Sequence, residues 1–346
     1  MLRGFRPTSN VLIKTALSKV ALNSLSTVAT SSLSTPLTKL SLSPAQKPKF
    51  QLQGFNLNFQ RFHQDKACDD QPKKRVRKKR NTKKPIPGVK HIVCVSSGKG
   101  GVGKSTVAVN LALAFQECGK KVGILDADIN GPSIPKLLDL DNELKLNENE
   151  TMIIPKEKYG LKCMSMGLLL DDENSAVVWR GILICDTLKE LIRKVNWSGL
   201  DILVIDCPPG TGDVHITLSQ ELPVSGAVIV STPQDVAVAD VRKGTSMLKE
   251  MKIPILGLIQ NMSYFECTKC GEKHYIFGNN DSVNKMCKEM GVVMLGELPL
   301  NTTINKDGDT GKPFVYSQPD STYAKSFKNI AETLIDVLGE PKYYIA

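Results

Sequence analysis

From residue 91 onward the chain alternates short apolar runs with amphipathic stretches. The segments HIVCVS (91–96), KVGILD (121–126), DILVID (201–206), AVIVST (227–232), PILGLIQN (254–261) and VVMLGELP (292–299) are almost continuously apolar. That is the pattern of strands covered on both faces. Residues 181–195, 235–251, 279–290 and 321–338 read as helices, and the stretch after the first strand sets Val107, Leu111, Ala114 and Phe115 on one side of another. Strand, turn and helix in repetition predict an α/β fold, a mostly parallel twisted sheet with helices on both faces. No unit of 20–50 residues repeats, and residues 139–158, polar and poorly periodic, read as a surface excursion.

A chain of 346 residues holds one large α/β domain of roughly 250 residues with an extension. Its net charge of +10 is unevenly placed: residues 1–64 contribute +8 and residues 65–90 another +8, which leaves −6 for residues 91–346. A mildly acidic folded part offers no general polyanion-binding field, so a nucleic-acid partner is not expected. Residues 1–64 combine Arg, Lys, Ser and Thr with no acidic residue, the composition of a mitochondrial transit peptide, with cleavage expected near Arg61 and a matrix location. VLIKTALSKVAL is interrupted by two lysines, which excludes both a secretory core and a membrane span. Residues 65–90, with the run KKRVRKKRNTKK, read as a basic solvated linker, and residues 91–346 as the folded domain.

The first strand runs into GKGGVGKST. A phosphate needs several N–H donors converging on its oxygens, and glycines let the backbone wrap that closely while the next helix offers its positive end. Gly98, Lys99, Gly100, Gly101, Val102, Gly103, Lys104, Ser105 and Thr106 are therefore the expected ATP-binding loop. Lys104 is placed to reach the β- and γ-phosphates, and the Ser105 hydroxyl to bind Mg²⁺. Phosphoryl transfer also needs carboxylates that hold the metal through water and orient the attacking water. Asp206 ends the strand DILVID, and Asp126 and Asp128 lie at the end of KVGILD. Asp126 is equally readable as a structural residue. CPPGTGD then brings Asp213 into a Gly/Pro-rich loop suited to a switch, while STPQD (231–235) and QNM (260–262) follow strands at the ligand edge of the sheet.

Most of the nine cysteines are scattered through apolar segments as small buried hydrophobes. Cys267 and Cys270 form a CxxC pair, but a stable metal site needs about four ligands. Cys287 is distant in sequence and His274 is the near nitrogen. Two chains would complete a Cys₄ site for a [4Fe–4S] cluster or zinc. A zinc knuckle with His274, a redox dithiol and plain surface cysteines are the other readings.

The extra lysine in KGGVGKST resembles the deviant, SIMIBI-type P-loop ATPases: nitrogenase iron protein, the Min and Par positioning ATPases, arsenite-pump ATPases and Mrp-type iron–sulfur carriers. The resemblance implies that Lys99 crosses a homodimer interface to the partner's nucleotide, and that Lys99, Lys104, Asp128 and Asp206 are the catalytic set. It further implies that Asn261 reads the adenine, with Pro233 a looser candidate. DADINGPSIPKLL, VVWRG, DILVIDCPPGTGD, GAVIVSTPQDVAVADVRKG, PILGLIQNMSYFECTKCG and HYIFG extend the likeness to the Mrp-type carriers over nearly all of residues 85–340. With the transit-like segment, the chain is most similar to the mitochondrial NUBPL-type branch, which implies a [4Fe–4S] cluster bridging a homodimer and delivery to apo iron–sulfur proteins of respiratory complex I. GNNDSVNK departs from that pattern, where relatives are richer in glycine. The alternative is a Min/Par-like positioning ATPase with a structural zinc-binding CxxC. An electron-transfer ATPase of the nitrogenase kind fits less well, because its cluster cysteines lie far apart in sequence.

Overall fold

A computed structural model describes residues 83–129, 131–169, 181–267 and 269–339. The transit-like segment, nearly all of the basic linker, and Trp179 and Arg180 of VVWRG lie outside the described residues. The expected α/β architecture is present. Eight strands form one sheet in the order β12-β9-β8-β1-β7-β2-β6-β5. They are β1 (Val89–Ser97), β2 (Val122–Asp126), β5 (Lys156–Lys158), β6 (Leu161–Ser165), β7 (Leu200–Asp206), β8 (Gly226–Ser231), β9 (Ile255–Gln260) and β12 (Met294–Glu297). Every pairing is parallel except β5 with β6 at the edge.

Strand alternation divides the core between the two faces. Val93 and Val95 of β1, Ile124 of β2 and Val204 of β7 pack against α1 (Lys104–Glu117) and, near the C-terminus, α9 (Thr322–Gly339). Ile92 and Cys94 of β1, with Leu125, Leu203 and Ile205, belong to the opposite layer with α3 (Gly181–Lys194), α4 (Asp213–Glu221), α5 (Asp235–Glu250) and α6 (Asp281–Met290). One helix face was expected to be apolar in α1, but its residues from Val107 to Phe115 are all buried, because it is sandwiched between the sheet and α9. The α9 helix turns Tyr323, Phe327, Ile330 and Leu334 inward, so its apolar stripe is used in the core.

The supposed surface excursion has structure of its own. β3 (Lys145–Leu146) pairs with β4 (Ile153–Ile154), Leu144 is fully buried, and β5 extends the main sheet. Strand β6 and helix α4 were not expected from the pattern. The remaining elements are α2 (Ile134–Leu137), α7 (Thr302–Asp309), α8 (Phe314–Ser317) and the two-stranded hairpin β10 (Phe265–Glu266) and β11 (Lys273–His274). Because β1, β2, β7, β8 and β9 are parallel, the loops leaving them gather at one sheet edge, the usual ligand edge of such sheets.

Candidate nucleotide and metal site

The phosphate loop connects β1 to α1. Gly103, at φ +80°, is the residue before the helix, which has no side-chain cap. The first-turn N–H groups are thereby left for an anion. Two glycines are required by close approach. A Cβ on Gly98 would lie 2.6 Å from the Asp240 backbone in α5, and one on Gly103 would lie 2.3 Å from Asn261 Nδ2.

Lys104 is 6% exposed. Its ammonium donates to Asp206 Oδ1 at 2.6 Å and to Ser105 Oγ at 3.2 Å, and lies 3.9 Å from Asp128 Oδ2. Asp206 Oδ2 and Asp128 Oδ1 are buried without a hydrogen-bond partner. Buried carboxylate oxygens seldom stay unmet. Two such oxygens beside the Ser105 hydroxyl are a donor set for hydrated Mg²⁺, so the residues fit that ion. Burial raises the Asp206 pKa, against the pull of Lys104.

Asp126 has a different environment. It sits opposite Asp206 in the β2–β7 register, and its carboxylate accepts from Asp128 N–H at 3.1 Å, Ile134 N–H at 3.2 Å and Ser165 Oγ at 3.0 Å. It thus orders the Asp128 loop and holds the start of α2, which is the structural role. Burial, together with the charge of Asp206, pushes its pKa up to about 7, opposed by those three donors.

Lys99 donates to Gln234 Oε1 of its own chain at 2.9 Å, at the start of α5. Gly210 N–H, in the loop after β7, donates to Ser97 O at 2.9 Å, which ties that loop to the phosphate loop. Asn261 donates through Nδ2 to Val102 O at 2.9 Å. Its amide therefore grips the phosphate loop. The cleft bounded by Lys99, Gly101, Lys104, Thr106 and Asp128 has a volume of about 430 Å³. Its outer wall includes Lys136 of α2 and Asp309 of α7, an ion pair at 3.5 Å. Neither residue was legible as part of the site, since only the fold brings these segments together; Gln234 lies in the STPQD loop expected at the ligand edge, but its hydrogen bond to Lys99 was not foreseen. His215 of α4 was missed too: buried, it shares a 2.9 Å hydrogen bond with Ser96 Oγ.

The cysteine pair sits at the tip of the β10–β11 hairpin, six residues beyond Asn261. Cys267 N–H donates to Glu272 O and Gly271 N–H to Cys267 O, each at 2.9 Å. Cys270 is exposed and Cys267 partly so. The backbone N–H groups of Cys270 and Lys269, then the Cys270 thiol, hold the Cys267 pKa below the usual thiol value, which favours the ligating thiolate. Cys287 is buried in α6. Among the described residues no group of three or more Cys, His, Asp or Glu is gathered to hold a metal, and His274, in β11, has its Nε2 4.0 Å from the Glu272 carboxylate.

Residues 88–335 match the family model described as ParA: NUBPL iron-transfer P-loop NTPase. The chain belongs to this family. Its relatives include the iron–sulfur cluster transfer protein NUBPL of Dictyostelium discoideum, 50% identical over 258 residues, covering 74% of this chain and 79% of that protein. The iron–sulfur protein required for NADH dehydrogenase, mitochondrial, of Arabidopsis thaliana is 46% identical over 262 residues, covering 75% and 83%. Among solved structures, the nucleotide-binding protein of Archaeoglobus fulgidus in complex with ADP is 37% identical with a TM-score of 0.59, covering 69% of this chain and 92% of that one. MinD of Pyrococcus horikoshii, 23% identical with a TM-score of 0.56 over 72% of this chain and 98% of that one, shares the fold.

Proposed function

We propose that the protein is an ATP-dependent carrier that binds a [4Fe–4S] cluster between the Cys267–Cys270 pairs of two copies. It delivers that cluster to apo iron–sulfur proteins of respiratory complex I in the mitochondrial matrix. The observation that carries the reading is the pair itself. Cys267 and Cys270 stand accessible at a hairpin tip, with one thiol held toward thiolate and no third ligand gathered around it among the described residues. Four thiolates are needed for such a cluster, and a second copy supplies the other two. An exposed site shared between subunits suits cargo that must leave. The names of the relatives support iron–sulfur transfer, and the plant relative supports complex I as recipient.

ATP is the substrate of the second site. Its phosphates take the first-turn N–H groups of α1 and draw Lys104 from Asp206, which frees that carboxylate; Asp206 and the Ser105 hydroxyl are the groups that would then hold Mg²⁺. The metal supplies charge neutralisation between the phosphate oxygens. Asp128 positions the attacking water, and Lys99 leaves Gln234 to reach the partner's nucleotide, so that binding closes the dimer and hydrolysis opens it. Asn261 remains the candidate adenine reader.

The test is anaerobic iron–sulfur reconstitution of the protein and of the Cys267→Ala/Cys270→Ala variant, with iron, acid-labile sulfide and zinc measured. A brown dimer with about four irons and four sulfides per two chains, and a colourless variant, are expected. Two colourless proteins, or wild type holding zinc alone, would overturn the reading.

A further inference from the structure

The turn between β9 and β10 touches both sites. Asn261 N–H donates to Ser231 O at 2.7 Å and its side chain to Val102 O at 2.9 Å. Met262 follows at φ +54°, a left-handed backbone that an unbranched, non-glycine residue rarely adopts. A Cβ on Gly103 would lie 3.6 Å from Met262 Cε. The Met262 methyl therefore faces Gly103, the last residue of the phosphate loop before α1. Ser263 closes the turn, with Oγ donating to Gln260 O at 3.0 Å and N–H donating to Leu298 O at 2.9 Å. The chain then enters the hairpin, which is tied to the sheet edge by Leu300 N–H donating to Tyr264 O at 2.7 Å. Three residues of connection thus separate the phosphate loop from the strand that leads into Cys267.

We infer that Met262 is the positioning residue through which the state of the phosphate loop sets the conformation of the cysteine hairpin. A residue in a sparsely populated backbone conformation persists only while its surroundings hold it there, so a change in the neighbour that holds it shifts the balance toward the relaxed conformation. Phosphate entering the cradle engages the N–H groups around Gly103, and any shift of that residue is passed to Met262 Cε and to the Asn261 amide. Released from its left-handed conformation, Met262 turns the following backbone and re-aims β10. This rests on the reading that nucleotide and cysteines serve one transfer cycle, yet it is a statement about this chain's own geometry. It is testable without cluster.

The experiment is hydrogen–deuterium exchange on the cluster-free full chain, with and without saturating Mg²⁺ and a non-hydrolysable ATP analogue, for wild type, Met262→Gly and Met262→Leu. The reporters are the hairpin amides of Cys267 and Gly271, both hydrogen-bonded within the hairpin. In wild type the analogue is expected to change their exchange by at least about threefold. Met262→Gly removes the left-handed strain while adding backbone freedom, effects of opposite sign, so the fold is expected to persist. In that variant the phosphate-loop amides remain protected by the analogue and the hairpin no longer responds. Met262→Leu, which keeps the side-chain contact, keeps the response. The inference is overturned if wild-type hairpin exchange ignores the analogue, or if Met262→Gly responds as wild type does. Loss of analogue binding in Met262→Gly also overturns it, by placing Met262 in the nucleotide site instead. Failure of the carrier reading appears separately, in the iron and sulfide analysis.

Discussion

Asp126 and Asp128 lie two residues apart, and their surroundings give them opposite tasks. Asp126 is met by three donors and Asp128 leaves one oxygen without a partner. Asp126→Ala is expected to destabilise the protein by about 2–4 kcal/mol, because it leaves buried donors unmet. Asp128→Asn should shift stability by less than about 1 kcal/mol and lower phosphate release by about a hundredfold or more. Denaturant unfolding beside a phosphate-release assay separates the two, and equal losses of stability would refute the division. His215 supplies a pH dependence. Burial, with Lys104 nearby, lowers its pKa to about 4 from an ordinary 6.5. The unfolded chain then binds more protons between those values. The stability His215 contributes is therefore fully present above about pH 6.5 and is lost as pH falls through about 4, a contribution on the order of 3 kcal/mol. Denaturant midpoints measured from pH 7.5 to 4.5 should fall more steeply for wild type than for His215→Gln.

At the scale of elements, the phosphate loop was legible because its chemistry is local. A strand, four glycines, two lysines and a helix lie within one stretch of sequence, and no distant partner is needed to recognise them. The strands of the parallel sheet were legible for a similar reason, since burial on both faces leaves them apolar throughout. What escaped had mixed signals. β6 carries Lys162 between apolar residues, one strand in from the edge, and α4 is short and contains β-branched Val214, Ile216 and Thr217. The helix α7 holds Gly308 and ends at Asp309, so propensity argues against it, and its contacts with α2 and α8 sustain it instead. The role of Asn261 at the loop was illegible, because a hydrogen bond spanning 159 residues leaves no local trace. It makes Gly103 a sensitive point. Gly103→Ala adds strain of about 1–2 kcal/mol at φ +80° and drives a methyl into the Asn261 amide. Calorimetric titration should show nucleotide binding lost while far-ultraviolet dichroism keeps the α/β signature.

For the whole molecule, a chain with one CxxC pair and one nucleotide cleft must still become a carrier. The carboxyl edge of the sheet offers more than a phosphate site. Ile182 at the start of α3, Ile216 in the first turn of α4 and Val236 in the first turn of α5 are 80%, 39% and 67% exposed. All three elements begin on the edge that carries Lys99. Apolar side chains exposed on one edge are costly in a permanent monomer and would be useful in one that closes on a second copy when ATP is bound. In the structure Lys99 is held by its own Gln234, so the proposed trans contact would require that hydrogen bond to break in favour of phosphate oxygens, a stronger acceptor than a neutral amide. Light scattering after gel filtration should therefore show wild type shifting toward dimer with Mg²⁺ and a non-hydrolysable ATP analogue. Lys99→Ala should bind the analogue yet remain monomeric. Val236→Asp should behave likewise, with its unfolding free energy within about 0.5 kcal/mol of wild type, as for other surface substitutions. A Lys99→Ala protein that dimerises as readily as wild type would confine Lys99 to its own chain and leave the cysteine pairs to be joined by the cluster alone.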